Sequence, residues 1–193
     1  MQLNDLVQRV KAIIQPHDIA EDDFAFMVSQ ESFAALEKLA RQIAVSPRLR
    51  HFFLTEPTTV TLTLASDGTV DISSLLTTNR VLLDCLWYGE IFPPVNDLYP
   101  TQPFRLVENR QQGLLTGMLD SLVLKAWMEG TTLHTKSPSN NVEPLVGSIS
   151  FRVPYVPTLD QVPANLEGMV VDNVVRRFRG RTPSTGQTVS QQS

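Results

Sequence analysis

The chain has few of the residues from which catalytic centres are usually assembled. It carries one cysteine, Cys85, and three histidines in 193 residues. A lone thiol closes no internal disulfide, which points to synthesis in a reducing cytosol. His17, His51 and His134 stand far apart, and none has a second histidine at helical metal-ligand spacing, so no zinc centre is expected. The nucleophile elbow Gly-x-Ser-x-Gly, a phosphate-cradling Gly-rich loop ending in Lys-Ser/Thr and a dinucleotide fingerprint are all missing. No apolar run reaches the length of a membrane span, and Met1 to Asp5 lacks the basic-then-apolar layout of a secretory signal. A net charge of −4 argues against strong global attraction to nucleic acid or anionic lipid and leaves only local patches to consider. The expectation is a non-enzyme with no catalytic, cofactor-binding or metal-binding residues.

What the chain does have is a core. Its 42% hydrophobic content and its length suit one domain with substantial burial. The stretch from Leu122 to Phe178 reads as a folding unit. Leu122 to Trp127 is short, apolar and strand-like, Glu129-Gly130 supplies a turn, and Thr131 to Thr135 returns as its partner. After a loop with Pro138 and Pro144, Ile149, Phe151 and Val153 alternate with Ser148, Ser150 and Arg152, the period of a half-buried strand. Pro154, Pro157 and Pro163 end it. Leu166, Met169, Val170, Val174 and Phe178 then recur at helical spacing.

Upstream, Leu3, Leu6, Val7, Val10, Ile13 and Ile14 predict an amphipathic helix stopped by Pro16. The acidic run 18–23 fails as a calcium loop, because Asp23 and Ser29 occupy the positions that need glycine and glutamate. A second helix is expected from Ser29 or Ser32 to Ser46, burying Phe33, Leu36, Leu39, Ala40 and Ile43. Arg41, Arg48, Arg50 and His51 form a local basic cluster suited to a solvated helix end or an acidic neighbour. Val60, Leu62 and Leu64 alternate with threonines, Asp67-Gly68 turns, and Thr69 to Ile72 comes back, predicting a hairpin. A further strand is expected over Val81 to Trp87, with Cys85 as a buried, inert thiol that has no obvious basic partner. Trp87 and Tyr88 suit either core or interface. Past an irregular Pro93 to Pro103 stretch, a short helix is expected around Leu106 to Gln112. The predicted core includes Leu6, Val10, Leu36, Leu39, Val60, Leu62, Phe151 and Val170.

The sharpest charge feature is Arg176, Arg177, Arg179 and Arg181, at a helix end where cations complement the dipole and can also grip an acidic surface. From Gly180 the composition turns polar, with Val189 the only aliphatic residue, and such a tail cannot bury enough surface to order itself. Thr188, Val189 and Ser190 suit added-strand pairing in a partner groove. The four arginines and these three residues are the candidate partner-binding set.

Taken in order, the chain offers two N-terminal helices, a threonine-rich hairpin with an Asp-Gly turn, and a Pro-flanked extended region. The Leu122–Thr135 hairpin, the strand Ser148 to Tyr155 and a helix opening near Pro-Ala-Asn-Leu follow. This layout resembles the head–tail adaptor (connector) proteins of tailed bacteriophages, over residues 2 to about 179. The resemblance is one of order and pattern, and the long polar tail departs from it. It implies an α+β fold: a small helical bundle with an inserted antiparallel β-region, a closing C-terminal helix and an extended C-terminal tail. The expected division is an adaptor-like domain over 1–179 and a partner-binding tail over 180–193. The resemblance further implies a virion structural protein at the head–tail junction, made in the host cytoplasm. Such a protein forms a homo-oligomeric, usually dodecameric, ring that binds the portal protein and lines part of the DNA exit channel. Its implied neighbours are the portal, a tail or tail-terminator protein and, non-specifically, packaged DNA, with no cofactor, no catalysis and no membrane. A ring uses heterologous interfaces, and a mildly acidic chain lets DNA slide without gripping it. Two other classes remain: a tail terminator or tail-completion protein, and a small hydrolase or nuclease with a scattered site.

Overall fold

A computed structural model describes residues 1–16, 19–56, 60–94, 102–114, 123–136 and 145–181. These form an α+β fold whose chain divides into two compact units. Met1–Ala40 and the described residues from Pro157 onward make a helical unit, and Arg41–Val156 makes a β-rich unit inserted between its two segments. The predicted stretch from Leu122 to Phe178 is therefore shared: its strands belong to the β-rich unit and its helix to the helical one.

Three helices build the helical unit. Helix α1, Leu3–Ile14, buries Leu6, Val7 and Val10, while Ile13 is exposed. It closes at Gln15, whose left-handed φ of 49° lets its N–H bond the Lys11 carbonyl oxygen at 2.9 Å. Helix α2 is Glu21–Ala44, starting well before the expected serines. Ser29 and Ser32 are interior residues, and the Ser32 hydroxyl donates back to the Ser29 carbonyl at 2.7 Å instead of capping a new helix. The acids Glu21, Asp22 and Asp23 occupy the true first turn, where the dipole favours them. Phe24 and Val28 extend the buried stripe of Leu36, Leu39, Ala40 and Ile43; Phe33, expected on that stripe, is 53% exposed. Helix α5, Glu167–Arg181, follows a short 3-10 turn at Ala164–Leu166 and buries Val170, Val174 and Phe178. Met169, expected in the core, is exposed. Helix α1 packs on α5, with Arg9 Nη1 3.0 Å from Glu167 Oε2, and the rings of Phe24 and Phe178 lie 5.5 Å apart between α2 and α5.

The β-rich unit holds two sheets. One is three-stranded, β1-β7-β3, from Thr61–Leu64, Gly147–Arg152 and Glu90–Phe92. The other is four-stranded, β2-β6-β5-β4, from Thr69–Asp71, Thr132–Lys136, Lys125–Glu129 and Arg105–Leu106. All pairs are antiparallel except β4 with β5, which are parallel, so the inserted region is not wholly antiparallel as expected. The β5–β6 hairpin turns at Gly130, whose φ of 64° is the conformation that turn requires; Leu122, its expected first residue, lies outside the described residues. Ile91, Leu133, Ile149 and Phe151 from the two sheets and Ile72 and Leu145 from the segments beside them meet in one core, with Leu62 only partly buried against it.

The expected β1–β2 hairpin does not form. The Asp67-Gly68 turn is present: the Ala65 N–H donates to the Thr69 oxygen at 2.8 Å, and Asp67 Oδ1 accepts from the Thr69 N–H at 3.0 Å. The two arms then part. Leu62 faces Ile149 in one sheet and Val70 faces Leu133 in the other. Alternation shows that each arm is a strand with a buried face, but it does not name the strand's partner.

After a short helix α3, Ser73–Thr78, the strand expected over Val81–Trp87 is a 3-10 helix, Leu83–Tyr88, preceded by an isolated bridge at Val81. Val81, Leu82, Cys85 and Leu86 are buried while Leu83, Asp84, Trp87 and Tyr88 are exposed, two in and two out. A run so uniformly apolar conceals that period. The helix expected around Leu106–Gln112 begins later: Leu106 is in β4, and α4 is Arg110–Leu114. Asn109 Oδ1 caps it by accepting the Gln112 N–H at 3.0 Å, and Gln112 Oε1 accepts the Glu108 N–H at 3.2 Å.

Candidate partner-binding surface

The arginine cluster lies on the last turns of α5, and its members differ in environment. The buried valines place one face of the helix inward, so Arg176 and Arg179 are exposed on the opposite side. Arg176 makes no ion pair among the described residues. Arg177 turns back to the protein: its Nε donates to Oε2 of Glu31 on α2, joining residues 146 positions apart. The Glu31 side chain is 5% exposed and that of Arg177 40%. A buried carboxylate loses its hydration, and a charge-assisted bond to a guanidinium offsets that loss. Arg177 therefore serves the fold, whatever else it touches. Arg181 ends α5, and Thr188, Val189 and Ser190 lie outside the described residues.

Glu31 is the residue here that sequence reasoning passed over. A glutamate within the apolar stripe of Val28, Ala35 and Leu36 is the available signal, since an acid there must find a cation.

The basic cluster after α2 is also divided. Arg41 pairs with Asp84 of the 3-10 helix, while Arg50 and His51 open a second short 3-10 helix, Arg50–Phe53. Cys85 is buried, as expected, but a basic side chain, Arg41, does stand beside it. Arg41 lies close enough to bond its sulfur and draws the thiol's pKa down, yet burial is the larger effect and holds it above the ordinary value. His134 stacks on Trp127 across β5–β6, ring centroids 5.3 Å apart and planes within 8°. Among the described residues no group of three or more His, Cys, Asp or Glu side chains could hold a metal ion, and no helix is long and apolar enough to cross a membrane. No protein-family model, curated protein or solved structure matches the chain.

Proposed function

We propose that this chain is a virion structural protein of the head–tail adaptor class, forming a homo-oligomeric ring that joins the portal to the tail and lines the DNA exit channel. One observation carries the reading. Both ends of the described chain build a helical unit, a β-rich unit is inserted between them, and the closing helix ends in exposed arginines. That nesting is what the resemblance to connectors implies. In this reading the protein is not an enzyme. Arg176 and Arg179 lead the polar tail onto acidic groups of the portal or a neighbouring subunit, and bidentate guanidinium contacts suit that task.

Two measurements test the proposal. Native mass spectrometry of the purified full chain should give a large closed oligomer, and a monomer counts against the ring. Portal binding by the full chain and by a variant lacking 181–193 should then differ, with the shortened chain binding more weakly. Equal affinities would remove the tail from the mechanism.

A further inference from the structure

The β-rich unit carries a cavity of about 280 Å³ whose wall includes two arginines, a histidine and one acid. Arg50 and His51 enter it from the 3-10 helix after α2, and Tyr88 and Glu90 from the segment that opens β3. Arg152, at the end of β7, also lines it. Glu90 and Arg152 stand directly opposite in the β3–β7 register, with Glu90 Oε2 and Arg152 Nη1 3.5 Å apart. That pair matches one acid to one guanidinium. Arg50 is left over, and it makes no ion pair among the described residues.

We infer that this cavity binds a single carboxylate side chain, with glutamate the best fit, from an acidic segment of a partner polypeptide. The charge count calls for one negative group, because one of the two arginines is already matched and Arg50 is not. A guanidinium presents a planar fork that takes both oxygens of a carboxylate. Leu54 and the ring of Tyr88 give the methylenes of a glutamate something apolar to lie against. The volume is at the small end for a small-molecule site and suits one side chain. Nucleic acid fits less well. Its phosphates recur every few ångströms and reward a row of cations, whereas this wall offers one unmatched arginine beside an acid. None of the lining residues belongs to α5, and the inference goes beyond the adaptor reading without depending on it.

The test is fluorescence anisotropy at low ionic strength, where exposed charges are least screened, with the full-length protein and a fluorescein-labelled acetyl-tetraglutamate peptide. The tetraglutamine analogue and a labelled DNA duplex serve as comparison probes. Tetraglutamate should bind and tetraglutamine should not. Arg50→Gln should weaken binding by about tenfold or more, the usual loss for a hydrogen bond to a charged group. Glu90→Gln should strengthen it, because the change removes the repelling acid and releases Arg152. Lys38→Gln, a change of an exposed cation on α2, should leave it unaltered. Equal binding of the two peptides, an Arg50→Gln variant that folds and binds as well as the parent, or an equal loss in Lys38→Gln would each overturn the inference. Tighter, Arg50-dependent binding of the duplex would overturn it in favour of phosphate.

Discussion

Arg177 on α5 and Glu31 on α2 are locked together, so one of four arginines that look alike in sequence is a structural residue. Replacing Arg177 by glutamine should destabilise the helical unit by about 1–3 kcal/mol, a range reduced because the guanidinium is well exposed. Arg176→Gln should change stability by less than about 0.5 kcal/mol, as surface substitutions usually do. Chemical denaturation of the two variants makes the comparison, and equal stabilities would show that the pair contributes little. Charge reversals meant to probe docking therefore belong at Arg176, since reversing Arg177 would mix a folding defect with a binding defect.

Leu39 is fully buried in α2. Truncation to alanine removes apolar contacts and leaves a cavity, at a cost of roughly 2–5 kcal/mol. Phe33→Ala, six residues earlier and 53% exposed, should cost much less. Thermal unfolding of both variants would test the assignment of the inward face, and a reversed order would refute it.

Gly89 sits where β3 approaches β7. A Cβ added there would lie 2.6 Å from the Arg152 carbonyl oxygen and 2.8 Å from the Val153 Cα, both backbone atoms that cannot swing aside. Gly89→Ala should displace the start of β3, destabilise the three-stranded sheet and disturb the cavity that Gly89 helps to line. Hydrogen exchange at the Phe92 and Ser150 amides, which face each other across β3 and β7, reads the first effect. Exchange unchanged from the parent protein would mean the strands can separate at little cost.

Cys85 should react slowly with iodoacetamide at pH 8 in the folded protein and quickly after denaturation, because burial both shields the thiol and disfavours the thiolate. Arg41→Ala should slow the folded-state reaction further if the fold is kept, since the arginine is what draws the thiol's pKa down. Faster alkylation in that variant would show that Arg41 acts mainly by holding the 3-10 helix over the sulfur.

The parts of the fold most legible in sequence were those governed by neighbouring residues. The stripes of α1 and α5, the Gly130 hairpin and the alternation of Ile149, Phe151 and Val153 all follow from a local period. Partner choice was not local: Leu62 and Val70 lie on either side of one turn yet pair in different sheets. Between Val81 and Tyr88 nearly every residue is apolar, so a helical period and a strand period look alike. Ser29 and Ser32 resembled helix starts because serine caps helices, while the true start lies at the acids Glu21, Asp22 and Asp23. In the candidate surface, the arginines could be found by composition, but the pairing of Arg177 with Glu31 required the packing of α2 on α5.

The helical unit is discontinuous in sequence, and this bears on how the protein is made. Helices α1 and α2 emerge from the ribosome first, but α5, against which α1 packs, is synthesised only after the whole β-rich unit. Until then Leu6, Val10 and Phe24 lack the α5 face that covers them in the finished protein. The inserted unit has all its strands in hand before that helix appears, so it can fold during translation while the first two helices wait. A nascent chain stalled before Glu167 should accordingly show a protease-resistant β-rich unit joined to an N-terminal segment that is still readily cut.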